Sequence, residues 1–184
     1  YPRSAVQLLA PIKRPRSLRD FLSFEEHVKH ARKPRGLGVP AEWYEIPVYY
    51  KGNPATIIGP DSEVAWPKYS QQLDYELEFA CVLGRSGRDI SAAEAGRYIA
   101  GYTIMNDFSA RDIQFKEMNV GLGPAKGKDF ATALGPCLVT PDELPDPYNL
   151  TMIARVNGAV WSQGNSGTIY RQFPEMIAHA SNSE

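Results

Sequence analysis

Two glutamates, Glu76 and Glu78, stand one residue apart in the apolar run LDYELEFACVLG, residues 73–84. In a strand, side chains alternate between faces, so Tyr75, Leu77, Phe79 and Cys81 share one side and Glu76 and Glu78 the other. Their Cα atoms then lie about 7 Å apart. Like charges that close repel unless something positive stands between them. A divalent cation with oxygen ligands at roughly 2.0–2.6 Å meets that need. A solvated strand face is the alternative. Two further acids favour the ion: Asp107 closes the apolar run YTIMND, and Asp20 stands in RDFLSFEEH. Three or four carboxylates from separate elements make a hard, oxygen-rich site suited to Mg²⁺ or Ca²⁺ rather than zinc.

Asp20 and His27 are seven residues apart. On one helix, two turns return them to nearly the same face, roughly 10 Å apart along the axis. A ligand at the helix start and a base two turns on would bracket a small substrate. Equally, His27 could be a surface histidine of the charged stretch EEHVKHARK. In SARDIQ, Arg111 and Gln114 are three apart and adjacent on a helix that follows Asp107. Lys128 comes after the glycine-rich stretch VGLGPAKG. A lysine, an amide and an arginine near a bound metal suit a developing oxyanion; each taken singly could be an ordinary surface residue.

The elements that must position these residues are many strands and few helices. Ser17 to Asp20 resembles a capping box that opens a helix through about Arg32, with Phe21, Phe24, Val28 and Ala31 as its apolar stripe. WYEIPVYY, ATIIGP, residues 73–83, GYTIMND, GPCLVT and LTMIARVNGAVWSQG read as strands, and Asn157-Gly158 signals a hairpin. SAAEAGRYIA reads as a short helix capped by Ser91. With 184 residues, 43% hydrophobic, the chain is near one domain's length and can bury a substantial core. A net charge of −1 gives no basic surface for nucleic acid or an anionic membrane, and no apolar run is long enough to span a bilayer. Cys81 and Cys137 form no framework or metal motif and read as buried thiols.

Taken in order, DYELEFACVLG, AGYTIMNDFSARDIQ, KGKDFATALGPCLVT and VNGAVWSQG resemble the fumarylacetoacetate hydrolase family from about Glu45 to Gln163. Asp20, His27 and WYEIPVYY extend the resemblance toward fumarylacetoacetase itself. It implies an α+β, strand-rich fold, a mixed β-roll of the fumarylacetoacetase C-terminal-domain type with a few short helices. A segment 1–44, with a helix carrying Asp20 and His27, would precede a catalytic β-roll over 45–184. The chain is expected to continue past Glu184, because the glutamate that partners the family's base belongs to a region beyond it. By motif position Asp20, Glu76, Glu78 and Asp107 would hold one Mg²⁺ or Ca²⁺, with Mn²⁺ a further option. His27 would be the general base. Arg111, Gln114 and Lys128 would bind substrate oxygens and stabilise the oxyanion, and Tyr50, Thr132 and Arg35 would bind substrate. The resemblance also implies a homodimer acting on a small keto acid, and the two unpaired cysteines fit a reducing, cytoplasmic setting. Ala131 stands where the family has glycine, and Leu22 where close fumarylacetoacetase relatives have tyrosine; both weigh against fumarylacetoacetate as the substrate.

The activity expected from this is metal-dependent hydrolysis of a C–C bond in a 1,3-diketo or acylpyruvate-like acid. Its rival is a decarboxylase or an isomerase (tautomerase) acting on a small 2-oxo acid through a metal-bound enolate, which depends less on a histidine base. A catalytically silent binding protein on the same scaffold is the alternative of another class.

Overall fold

Strand alternation and turn chemistry account for most of the computed structural model, which describes residues 1–184. In chain order the elements are β1 (Leu18–Phe21), α1 (Glu25–Arg32), α2 (Ala41–Glu45), β2 (Tyr49–Gly52), β3 (Ile57–Ile58), β4 (Leu73–Asp74) and β5 (Leu77–Leu83). There follow β6 (Ile99–Asp107), β7 (Ser109–Ala110), α3 (Arg111–Val120), β8 (Thr132–Val139), β9 (Thr151–Val156), β10 (Ala159–Asn165) and α4 (Phe173–Ser181). No helix is long and apolar enough to cross a membrane.

A four-stranded sheet runs in the order β3-β8-β6-β5. β3 is parallel to β8, and β6 is antiparallel to it, with Asp107 opposite Thr132 and Asn106 opposite Ala133. This register sets the carboxylate at the end of β6 beside the hydroxyl at the start of β8. β4 and β7 form a short antiparallel pair, Leu73 with Ala110 and Asp74 with Ser109. β9 and β10 form the hairpin that Asn157-Gly158 predicts; both turn residues have positive φ, 50° and 83°, as a two-residue primed turn requires.

The chain forms two compact units. The first comprises Tyr1–Arg19, Tyr50–Ala80 and Tyr102–Val139. Its interior holds Tyr102, Met105, Ala110, Ala131 and Leu134, together with six buried polar residues, Ser70, Thr103, Asp107, Ser109, Lys128 and Thr132. The second comprises Asp20–Tyr49, Cys81–Gly101 and Thr140–Glu184. Its core joins Val28, Trp43, Ile90, Ala95, Phe173, Met176 and Ile177. α4 opens with a capping box between Gln172 and Glu175, and the Ser23 hydroxyl lies 3.2 Å from the Met176 sulfur.

Several expectations need correction. Asp20 lies in a strand, and α1 starts only at Glu25, so Asp20 and His27 are not two turns apart on one helix. The Ser17 hydroxyl accepts from the Arg19 guanidinium at 2.8 Å instead of capping a helix, and residues 18–21 pair with β2. The helix begins where Glu25 and Glu26 occupy the first turn and Lys29, His30 and Arg32 the last, the charge order its dipole favours. Residues 73–83 are two strands, broken at Tyr75 and Glu76. Residues 91–98 form a turn and a 3₁₀ helix, Ala95–Tyr98, rather than an α-helix. Cys137 is exposed, not buried.

Candidate metal centre

The break between β4 and β5 is what delivers Glu76. Its backbone N–H leaves the ladder and donates to the Asn106 side-chain oxygen at 3.1 Å. That bond ties the start of β5 to the end of β6, one residue before Asp107. Glu78 follows two residues on, and the strand period returns it to the same side. Within the first unit Glu76, Glu78 and Asp107 each offer a carboxylate oxygen, all within 4.8 Å of one another. Opposite ligands on a shell of radius ~2.3–2.6 Å stand ~4.6–5.2 Å apart. The donors are all hard oxygens at that spacing, so the residues fit a divalent cation of the Ca²⁺ or Mg²⁺ kind, magnesium needing a small contraction.

Two cations of the protein stand against these acids. The Lys128 ammonium is 2.8 Å from Glu76 Oε2 and 2.6 Å from Asp107 Oδ2, with its side chain 3% exposed and that of Asp107 1%. Arg111, at the first position of α3, lies with Nη1 2.5 Å from Glu76 Oε1 and 2.9 Å from Gln114 Oε1, while its Nε donates to Asp74 at 2.7 Å. Burial pushes the Glu76 carboxyl up, but Lys128 and then Arg111 overcome it and bring the group down to about 2. Burial likewise opposes the charge on Lys128, and Glu76 and Asp107 reverse that, raising the ammonium above its ordinary value. Glu76, Lys128 and Arg111 thus hold one another in their charged forms. The Tyr50 hydroxyl donates to Asp107 Oδ2 and the Thr132 hydroxyl to Oδ1, the latter at 3.3 Å. Both oxygens of the most buried acid thus have donors, which fixes its rotamer.

The structure therefore gathers Glu76, Glu78, Asp107, Arg111, Gln114, Lys128, Tyr50 and Thr132 in one unit. His27 and Arg35 belong to the second unit, both exposed, His27 on α1 and Arg35 on the 3₁₀ turn after it. Asp20 follows Arg19 in β1 and is the residue at which the second unit begins. Asp74 and Asn106 went unnoticed in the sequence. Asp74 carried a usable signal, since it precedes Glu76 at the same two-residue step that links Glu76 to Glu78. Asn106 carried none, because its role depends on the neighbouring strand.

Known proteins match this chain over nearly its whole length. The family model described as fumarylacetoacetate (FAA) hydrolase C-terminal matches residues 16–184. The chain is 38% identical over 183 residues to the Homo sapiens protein named oxaloacetate tautomerase FAHD2A, mitochondrial, covering 98% of this chain and 55% of that one. It thus spans about half the length of the curated relatives it matches. Among solved structures, a 5-carboxymethyl-2-hydroxymuconate delta-isomerase from Mycobacterium smegmatis superposes with a TM-score of 0.79 at 30% identity, over 98% of this chain and 67% of that one. A fumarylacetoacetate hydrolase from Exiguobacterium antarcticum superposes with a TM-score of 0.80 at 28% identity, over 97% and 61%. With the motifs, the acidic cluster and the strand-rich α+β fold in agreement, the chain belongs to the fumarylacetoacetate hydrolase family.

Proposed function

We propose that the chain is the catalytic part of an isomerase that moves a proton between carbon and oxygen in a small 2-oxo acid, as in the keto–enol exchange of oxaloacetate. Asp20, Glu76, Glu78 and Asp107 would hold the divalent ion. The carboxylates outnumber the two cations beside them, Lys128 and Arg111, so the cluster keeps the net negative charge that a divalent ion would offset. When bound, the ion draws electrons from the 2-oxo group and so acidifies the adjacent C–H. The protein's own groups do the rest. Lys128, Gln114 and Arg111 hold the oxygen that becomes negative as the carbon loses its proton. Tyr50, Thr132 and Arg35 orient the acid. The proton taken from carbon is returned to oxygen, or the reverse, so nothing is consumed. Decarboxylation of the same acid would also leave an enolate, that of the acid short of one carboxylate, for the same groups to hold.

The likeness to the named tautomerase, 38% over 183 residues, is the observation that carries this reading. The site alone serves any enolate chemistry, and several similar structures are named isomerases. Hydrolysis of a C–C bond, the first expectation, is the second reading, favoured by the fumarylacetoacetate hydrolase at a TM-score of 0.80 and by His27 as a base for water. The full-length protein with Mg²⁺, given enolic oxaloacetate and an acylpyruvate in separate assays, tests the two. We expect enol absorbance to decay faster than in buffer, His27→Ala to keep that rate within a few-fold, and Lys128→Met to lose about 10²–10³-fold. Cleavage of the acylpyruvate with no acceleration of enol decay would replace isomerisation by hydrolysis. A homodimer completes the proposal, and light scattering of the full-length protein should give twice its subunit mass.

A further inference from the structure

We propose that Glu117 is the positioning residue for Lys128, holding the backbone of the 125–127 turn and so setting where the ammonium stands against Glu76 and Asp107. The inference rests on the role given to Lys128 above.

Glu117 takes no part in the acidic cluster. It lies on α3 three residues after Gln114, which lies three after Arg111, so the three share one side of the helix. Its carboxylate is spent on backbone. Oε2 accepts from the N–H groups of Ala125 at 2.9 Å and Gly127 at 3.2 Å, and Oε1 from that of Lys126 at 2.6 Å. Bonds from N–H to an ionised carboxylate are among the stronger ones available to a turn. The peptide that leads into Lys128 is then fixed at its other end, since the Gly127 carbonyl accepts from Ala110 N–H at 2.7 Å and the Lys128 N–H donates to Ala125 at 2.9 Å. The Tyr69 hydroxyl donates to the Lys126 carbonyl at 2.9 Å from outside the turn.

Packing makes the arrangement tight. A Cβ on Gly127 would stand 2.8 Å from Gln114 N, and one on Gly123, whose φ is +113°, would stand 2.8 Å from the Glu117 Cβ. Backbone of the turn thus lies directly on the helix at Gln114, and Glu117 bonds it there. Lys128 reaches its two acids at 2.6 and 2.8 Å from this base, so a shift of about 1 Å in the turn would displace the ammonium from one or both. Helix α3 places both cations of the site, Arg111 directly and Lys128 through Glu117.

Glu117→Gln is the test. An amide oxygen can accept from the turn, but its NH₂ then faces an N–H that needs an acceptor. With Mg²⁺ and enolic oxaloacetate as the probe, kcat should fall about 10- to 100-fold with KM and calorimetric Mg²⁺ affinity unchanged within two-fold. Hydrogen exchange at the amides of 125–127 should accelerate in the same variant. Unchanged exchange there, or wild-type kcat with exchange accelerated, overturns the proposal. Should Glu117→Gln fail to fold, Glu117→Asp, one methylene shorter with the charge kept, carries the same readouts. Lys128→Met, run in parallel, separates the two ideas. Full turnover in that variant removes the catalytic role of Lys128; the kcat arm then lapses, and the Lys128 ammonium proton signal in Glu117→Gln, shifted or unshifted from wild type, upholds or overturns the placement of Lys128 by Glu117.

Discussion

Asp112 shows how much structural duty a neighbour of the site can carry. Its carboxylate accepts from the Ser70 hydroxyl at 2.6 Å and from the N–H groups of Gln71 and Ile113 at 3.0 Å each. The Ser70 bond, then that of Gln71, holds the acid below its ordinary value. A carboxyl depressed on folding adds stability above its unfolded value, near ~3.9, that fades as pH falls through the folded one. Ser70→Ala should return the Asp112 carboxyl toward ~3.9, measured by NMR titration, and move the acid unfolding limb to higher pH. For the ligands, Glu78→Ala should cost at least about tenfold in Mg²⁺ affinity by calorimetry, the loss already known from removing mere outer-shell partners. At this scale the acids were legible, because Glu76 and Glu78 carry the strand period in their own spacing. Lys128 was legible as a cation but not as a buried one. The turn before it lies against α3 where Gly127 meets Gln114, and no local pattern encodes that contact.

Elements repeat the lesson with different physics. Gly127→Ala forces a methyl against the Gln114 backbone, so it should destabilise by about 1–3 kcal/mol in urea unfolding and lower kcat as the turn lifts from α3. α3 itself ends at Gly121, whose φ of +88° is the left-handed cap that a glycine there predicts. The hairpin at Asn157-Gly158 was likewise written in the sequence, since few residue pairs accept positive φ twice. The start of α1 was not. Ser17 to Asp20 has the letters of a capping box, but residues 18–21 find hydrogen-bond partners in β2, and pairing across the chain outweighs a local cap. The break at Tyr75 and Glu76 was hidden for a related reason. An apolar run looks continuous even where one N–H turns aside to Asn106.

Across the molecule, family and fold were legible because the motifs fall in order along most of the chain, while activity was not, since the same acids, lysine and arginine suit more than one reaction of a keto acid. The ion pairs of Lys128 and Arg111 also bear on how the protein is loaded. Chelation by EDTA should lower the melting temperature only by the linkage owed to a bound ligand, about 2.7 kcal/mol at a hundred times Kd, with far-UV circular dichroism unchanged at 25 °C. Loss of secondary structure on chelation would mark the ion as a folding partner instead, as in small zinc domains. The built-in ammonium and guanidinium act as ballast: they offset the repulsion between Glu76 and Asp107. A chain made this way would be folded before it is loaded, its acids already in place for a divalent ion.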